Sequence, residues 1–295
     1  MKTDLSCVQC LVRNIVTLAN LLADDEETRL KIVRKMLAEL SEFDFHLPPP
    51  LMARRIHAYA TEVTGKSDPY RRQKDESTRL AQELLREFLE EKKLDPNDFE
   101  SLIRLAIAGN IIDFGVNCDL KLEDARETIR LAFRKPIDSR ALKTAEEAME
   151  NAENILYLLD NCGEVVFDTL LVRRYRSKVT LCVKGIPVLN DVTRREVGPS
   201  GFDGIVKRVI DTGDGTPGVS LEHSSREFRE AFESADLIVS KGQGNFETLH
   251  DTDRPILFLF MAKCPLVAGM LNAELNSFQI VCRNLRGETP VRDLK

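Results

Sequence analysis

Tryptophan is absent from this 295-residue chain and aromatic residues make up only 6% of it, so few side chains exist on which nucleic-acid bases would stack. Positive charge is not in excess: the formal net charge is −6, whereas broad nucleic-acid binding needs a basic surface. No apolar stretch reads as long enough to span a bilayer, and the first ten residues, MKTDLSCVQC, lack the apolar core of a signal peptide. These absences lead to the expectation of a cytoplasmic protein with neither nucleic acid nor membrane as partner. The four histidines, His46, His57, His223 and His250, show no metal-ligand spacing. Seven cysteines are an odd number, and most sit in apolar runs such as VTLCVKG and FQIVCRN, which suits reduced buried thiols better than a disulfide framework. Cys7 and Cys10 form a CxxC, but no second CxxC follows and the motif does not open a βαβ unit. Cys264, in AKCPLV, is the thiol placed to complete a three-thiol site with them, although core packing is the commoner role for such residues. No internal repeat and no low-complexity tract is present.

What is present is an ordinary globular composition, 43% hydrophobic and 31% charged, in a chain long enough for one large or two medium domains. The first half reads as helical. CLVRNIVTLANLLADDEETRLKIVRKMLAEL has apolar residues at helical spacing with a break near ADDEE, and HLPPPL punctuates the chain before a helix that ends near Gly65. DPYRRQKDESTRLAQELLREFLEEKK is a charged amphipathic helix, and DFESLIRLAIAGNIIDFG reads as a buried one carrying Asn110 and Asp113 on one face. The second half changes period. NILYLLD, KVTLCVK, IVKRVID, ADLIVSK, PILFLFMAK and FQIVCR are short β-rich runs, several separated by helical patterns such as VVFDTLLVRRY and SSREFREAFES. Continuous apolar strands alternating with helices predict a mainly parallel sheet covered on both faces. The expected fold is α/β: an all-helical N-terminal region over residues 1–150, packed on a three-layer, Rossmann-like α/β/α domain over residues 151–295.

In open parallel sheets sites form beyond the carboxyl ends of the strands. The first such loop is DNCGE, with Asp160, Asn161 and Glu164; the second ends at Asn190 and Asp191; the fourth is SKGQGN, with Lys241, Gly242 and Gly244. Asp160, Asn161 and Asp191 offer hard oxygen ligands of the kind that bind Mg²⁺ or Mn²⁺ together with water and substrate phosphate. Lys241 is a point charge for phosphate, and the two glycines allow close backbone approach to an anion. One end of the sheet thus pairs a cation site with an anion site. A "DN" after a strand is often a helix cap and a "GxG" often a turn, so the weight lies in three such loops following three strands. DTGDGTPGVSLE, residues 211–222, imitates an EF-hand loop but has Gly at position three and Thr at position six, so it is expected to be a loop only.

LLDNCGEVVFD, GIPVLNDVT, AGNIIDFG and SKGQGNFETL together resemble the DUF89 family of damage-control phosphatases, with an ARMT1-like metal-binding domain. CVQC resembles the CxxC-carrying branch found in archaea and bacteria, and the likeness covers nearly the whole chain. The resemblance implies a divalent-metal-dependent phosphatase, using Mn, Mg, Co or Ni, that hydrolyses small phosphorylated metabolites such as sugar phosphates or damaged side products. It implies Asp160, Asn161 and Asp191 as metal ligands, Lys241 as a phosphate contact, and Asn110 and Asp113 at the border of the pocket. Glu164 matches an acidic residue that sits one position later in eukaryotic branches; it is a candidate base or hydroxyl contact.

For the chemistry, attack by a metal-activated water and attack by an aspartate are both open, with water favoured because the good aspartates are occupied as ligands. The competing functions are a methyltransferase-type group transfer, for which the first loop has too few glycines, and a non-catalytic phosphometabolite sensor built on the same pocket.

Overall fold

The computed structural model describes all residues except 92–94, 96, 112–121 and 293–295. Asp113 therefore lies outside the described residues. The chain opens with four helices: α1 (Leu5–Leu22), α2 (Glu26–Ser41), α3 (Pro49–Thr64) and α4 (Arg71–Glu91). Local chemistry sets their ends. The predicted break falls where Asp25 accepts the Thr28 N–H at 2.7 Å as the N-cap of α2. Pro48–Pro50 start α3, and Gly65, at φ 68°, stops it. α1 buries Leu11, Ile15, Leu18, Ala19 and Leu22 against α2 and α3. It is also long and apolar enough to cross a membrane by length and composition, with mean hydropathy 1.5, which corrects the expectation that no stretch would be.

Next come α5 (Phe99–Ala108) with a 3₁₀ turn at Gly109–Ile111, α6 (Leu122–Ala132) and α7 (Ser139–Asn151). The sheet then alternates with helices: β1 (Ile155–Leu158), α8 (Glu164–Arg174), β2 (Val179–Val183), α9 (Arg194–Val197), β3 (Arg208–Asp211), α10 (Arg226–Ser234), β4 (Leu237–Lys241), α11 (Gln243–Leu249), β5 (Ile256–Met261), α12 (Pro265–Leu271) and β6 (Phe278–Arg283). All six predicted strand segments form one sheet of order β3-β2-β1-β4-β5-β6, parallel except for β6, which runs antiparallel to β5.

The α/β expectation holds, and the layers follow from the strands' apolar character. β4 is buried throughout, as are β1 and β5. Tyr157, Leu159, Val239, Leu257 and Leu259 point to the face covered by α5, α7 and α8. Leu156, Leu158, Ile238, Phe258 and Phe260 point to the face covered by α10, α11 and α12. Residue 150 marks no break in this core, because α5 and α7 lie N-terminal to it yet share the core of the sheet, while α1–α3 form a separate cluster.

On the second face Phe246 of α11 stacks on Phe260 at 5.0 Å and meets Phe258 edge-on at 5.2 Å. This ring cluster seats α11, and with it the loop between β4 and α11. Phe246→Ala is expected to cost about 3–5 kcal/mol through lost burial and a residual cavity, as read from a denaturant titration.

Candidate functional site

The strand order reverses between β1 and β4, which makes their carboxyl ends a topological switch point where a crevice forms. Three loops converge there. The Leu159 N–H bonds to the Cys182 carbonyl at 2.9 Å, which prolongs β1 by one residue and delivers Asp160 to the edge of the sheet. The loops after β1 and β2 are then zipped together: Val192 N–H donates to the Asp160 carbonyl and Cys162 N–H to the Asn190 carbonyl, both at 2.8 Å, and Asn161 and Asp191 form an antiparallel bridge. This pairing, between residues about 30 apart, gathers Asp160, Asn161 and Asp191.

The loop after β4 closes the other side. Gly242 has φ 81°, and a Cβ there would lie 2.0 Å from the Asp160 Oδ2. A Cβ on Gly244 would lie 2.3 Å from the Pro217 carbonyl oxygen. Both glycines thus serve close packing of loop on loop. Pro217 belongs to the loop after β3, so residues 211–222 are more than the plain loop expected. Asp214 is buried there, its carbonyl accepts the Gly185 and Ile186 N–H groups at 3.1 Å, and its Oδ2 pairs with Arg54 of α3 at 3.2 Å.

Beneath these loops lies a sealed ionic network. Lys241 is 0% exposed, and its ammonium donates to Glu164 Oε1 at 2.5 Å, Asp168 Oδ1 at 2.9 Å and the Ala106 carbonyl at 2.8 Å. Tyr157 donates its hydroxyl to the same Asp168 oxygen at 2.7 Å. All three ammonium protons of Lys241 are used, so the structure places it as a buried counter-ion and not on the phosphate where the sequence had put it. Burial opposes the charged form of Lys241, but the Asp168 and Glu164 carboxylates outweigh it and hold the pKa above the ordinary lysine value. Asp168 is pushed up to about 6, first by burial and then by Glu164, with Lys241 pulling it down.

Glu164 is likewise sealed, at 0% exposure. Its Oε2 accepts the Asn110 Nδ2–H at 2.6 Å and the Asn161 Nδ2–H at 3.4 Å. The same two amides donate to Asp160 Oδ2, Asn161 at 2.5 Å and Asn110 at 3.4 Å. Asn110, in the 3₁₀ turn after α5, is thus brought against Asp160 and Glu164. Asn190 is buried in the loop and offers its carbonyl to Cys162.

Negative charge is crowded around Asp160. Burial first, then the charges of Asp191 and Glu164, push its carboxyl well above the usual range, with Lys184 and Lys263 acting in the opposite direction. Lys184 is buried, with its ammonium 3.6 Å from Asp191 Oδ2, 3.2 Å from Asn245 Oδ1 and bonded to the Gly218 carbonyl. Sequence reading missed Lys184, Lys263, Tyr157 and Asp168. Lys184 and Lys263 each follow a strand, the same signal that selected Lys241; Glu164 and Asp168, four apart, share one face of α8.

The donors fit a hard divalent cation. They are two carboxylates and a carboxamide, a set that Mg²⁺ or Mn²⁺ completes with water and phosphate oxygens. Asn110 Oδ1 is buried without a hydrogen-bond partner beside them, as expected of a polar pocket wall that meets a further group. Among the described residues no three His, Cys, Asp or Glu side chains are grouped to hold a metal. The three thiols of the expected site are therefore not grouped as metal ligands. Cys7 and Cys264 approach closely enough for their charges to interact, but Cys10 is exposed, and the Cys264 sulfur accepts the Val267 N–H at 3.4 Å as the N-cap of α12.

Residues 3–277 match the family described as "Damage-control phosphatase ARMT1-like domain". The chain is 34% identical over 290 residues to a damage-control phosphatase of Pyrococcus horikoshii, covering 96% of this chain and 98% of that one. It is 32% identical over 275 residues to a damage-control phosphatase of Archaeoglobus fulgidus, covering 91% and 94%. A crystal structure of a DUF89 family protein from Pyrococcus horikoshii superposes with a TM-score of 0.86 at 32% identity, covering 96% of this chain and 99% of that one.

Two outcomes follow from this geometry. Gly242→Ala adds a methyl group inside the Asp160 carboxylate at a backbone angle that disfavours side chains; thermal melts should show a loss of roughly 2 kcal/mol or more. Asp160→Asn should have the opposite sign in cation-free buffer at neutral pH. A carboxyl whose folded pKa is raised contributes stability that is fully present below the ordinary carboxylate value and is lost as pH rises from there through the raised folded value. Removing the charge should raise the melting temperature, by roughly a few degrees.

Proposed function

The chain belongs to the damage-control phosphatase ARMT1-like (DUF89) family, and on that premise we propose that it is a divalent-cation-dependent phosphomonoesterase acting on small phosphorylated metabolites, sugar phosphates among them. The observation that carries this reading is the bridge between Asn161 and Asp191, which brings two carboxylates and a carboxamide together at the switch point of the sheet. Asp160, Asn161 and Asp191 would hold the cation, with Mn²⁺, Mg²⁺, Co²⁺ and Ni²⁺ as the candidates. When bound, the cation would supply charge neutralisation on the phosphate and a more acidic water.

The chain's own groups do the rest. Lys263, half-buried at the end of β5 and near enough for its charge to act on Asp160, takes the phosphate-facing role. Lys184, bonded on one side to Gly218 and paired on the other with Asp191, holds that carboxylate toward the crevice. Arg54, about one-third exposed and tied to Asp214, stands where α3 meets the loop after β3. Asp160 and Asp191 are committed to the cation, and Asp168 and Glu164 are sealed behind it. Water is thus the better-placed nucleophile than an aspartate, with in-line geometry supplied by positioning and charge.

The test is phosphate release from a panel of sugar phosphates, nucleotides and p-nitrophenyl phosphate, each with Mn²⁺, Mg²⁺, Co²⁺, Ni²⁺ or EDTA. Release should require a cation, and Asp191→Ala should lower kcat/KM by at least about 100-fold. A protein that binds a cation yet releases no phosphate from any ester would instead be a phosphometabolite sensor.

A further inference from the structure

Two carboxylate oxygens and two amide nitrogens meet in one buried square: Asp160 Oδ2 and Glu164 Oε2, Asn110 Nδ2 and Asn161 Nδ2, with separations of 2.5, 2.6, 3.4 and 3.4 Å. An ionised carboxylate only accepts hydrogen bonds, so each amide must turn its NH₂ inward, toward both carboxylates. Its oxygen is then forced outward. For Asn110 the consequence is visible, because its Oδ1 is buried without a hydrogen-bond partner. For Asn161 the same constraint turns Oδ1 away from Asp160 and Glu164.

We propose that Glu164 is a positioning residue whose carboxylate, held in place by Lys241, Asp168 and Tyr157, locks the amide of Asn161 with its oxygen presented to the cation. This rests on the cation site proposed above and deepens it. An asparagine is a cation ligand through oxygen only; with its amide reversed it presents N–H groups, which repel a cation. Asp160 alone does not fix the choice firmly, since it also has to serve the cation. Glu164 can, because it is sealed: Oε1 is taken by Lys241, and Lys241 is in turn fixed by Asp168 Oδ1 and the Ala106 carbonyl. The chain of bonds runs from the Tyr157 hydroxyl, through Asp168, Lys241 and Glu164, to Asn161. It spans β1, α8 and β4, so the ligand's orientation is set by the packed core and not by its own loop alone.

Glu164→Gln separates this role from simple packing. Glutamine has the same shape, and its Oε1 can still face Lys241, but its Nε2–H₂ then faces the NH₂ groups of Asn110, 2.6 Å from that position, and of Asn161, 3.4 Å from it. Donors cannot share these contacts, so both amides lose the acceptor that turns their NH₂ inward, and Asn161 is freed to reverse. Asn161→Asp supplies the complementary background, because a carboxylate has two equivalent oxygens and no amide to orient. The experiment is Mn²⁺ affinity of the full chain by isothermal titration calorimetry for wild type, Glu164→Gln, Asn161→Asp and the double variant, each shown to be folded by circular dichroism and a thermal melt.

Glu164→Gln is expected to weaken Mn²⁺ roughly 10–100-fold with Asn161 present, and less than about 3-fold with aspartate at 161. Loss of one negative charge, or a general loosening of the fold, would act equally in both backgrounds; equal losses would therefore overturn the proposal. So would unchanged Mn²⁺ affinity in folded Glu164→Gln. If Glu164→Gln does not fold, Asp168→Asn makes the same test one bond further back: a loss of Mn²⁺ affinity confined to the Asn161 background supports the proposal, and its absence overturns it. A wild-type chain that binds no divalent cation would remove the cation site itself, which is distinguishable from wild-type binding that Glu164→Gln leaves intact.

Discussion

A lysine ammonium shut away from water is the constraint around which this site is built. Lys241 stands at the last position of the central strand β4, and burying its charge carries a desolvation penalty of several kcal/mol unless the geometry compensates. Here it does: two carboxylates and a carbonyl take its three protons, from two other elements of the chain. The carbonyl belongs to α5, the carboxylates to α8, and the lysine itself to the sheet. Removing any one partner leaves a buried ammonium proton without an acceptor, so the network resists rearrangement. α5 then leads through Gly109, where a Cβ would lie 2.9 Å from the Glu164 backbone, directly to Asn110.

Above this layer the lysine charge is no longer at hand. Asp160, Asp191 and Glu164 stand close enough to raise the Asp160 pKa, and the nearby positive charges of Lys184 and Lys263 only partly offset them. The two layers divide the labour. The lower one holds its lysine with every ammonium proton taken and fixes positions; the upper one is short of positive charge and is suited to a divalent cation with a phosphate. Three loop-on-loop contacts hold the upper layer: the pairing of the loops after β1 and β2, Gly242 against Asp160, and Gly244 against Pro217.

Much of this was legible in the order of residues, because the signals are local. Six apolar runs with period-two or continuous hydrophobicity become the six strands, since a strand buried on both faces has few alternatives. Asp160, Asn161 and Asp191 were visible as polar residues directly after such runs, and the glycines of SKGQGN as positions where backbone must come close. Reading failed where a residue type permits two opposite roles. Lysine after a strand can meet a substrate or close a buried ion network, and nothing near Lys241 in the chain announces that Glu164 and Asp168 await it from 77 and 73 residues away. The three cysteines failed for the related reason that proximity in a fold does not imply a shared ligand: one faces solvent and another caps a helix.

The sequence by itself thus determined the α/β class, the helical first half, the strand-end loops and the oxygen donors within them, because hydrophobic period and turn chemistry act over a few residues. Only the tertiary structure decided that Lys241 is sealed, that residues 211–222 pack on the loop after β4, and that Glu164 points inward to two asparagine amides. Those outcomes depend on which distant groups share a buried volume, and desolvation makes the pairing of such groups a property of the packed chain as a whole.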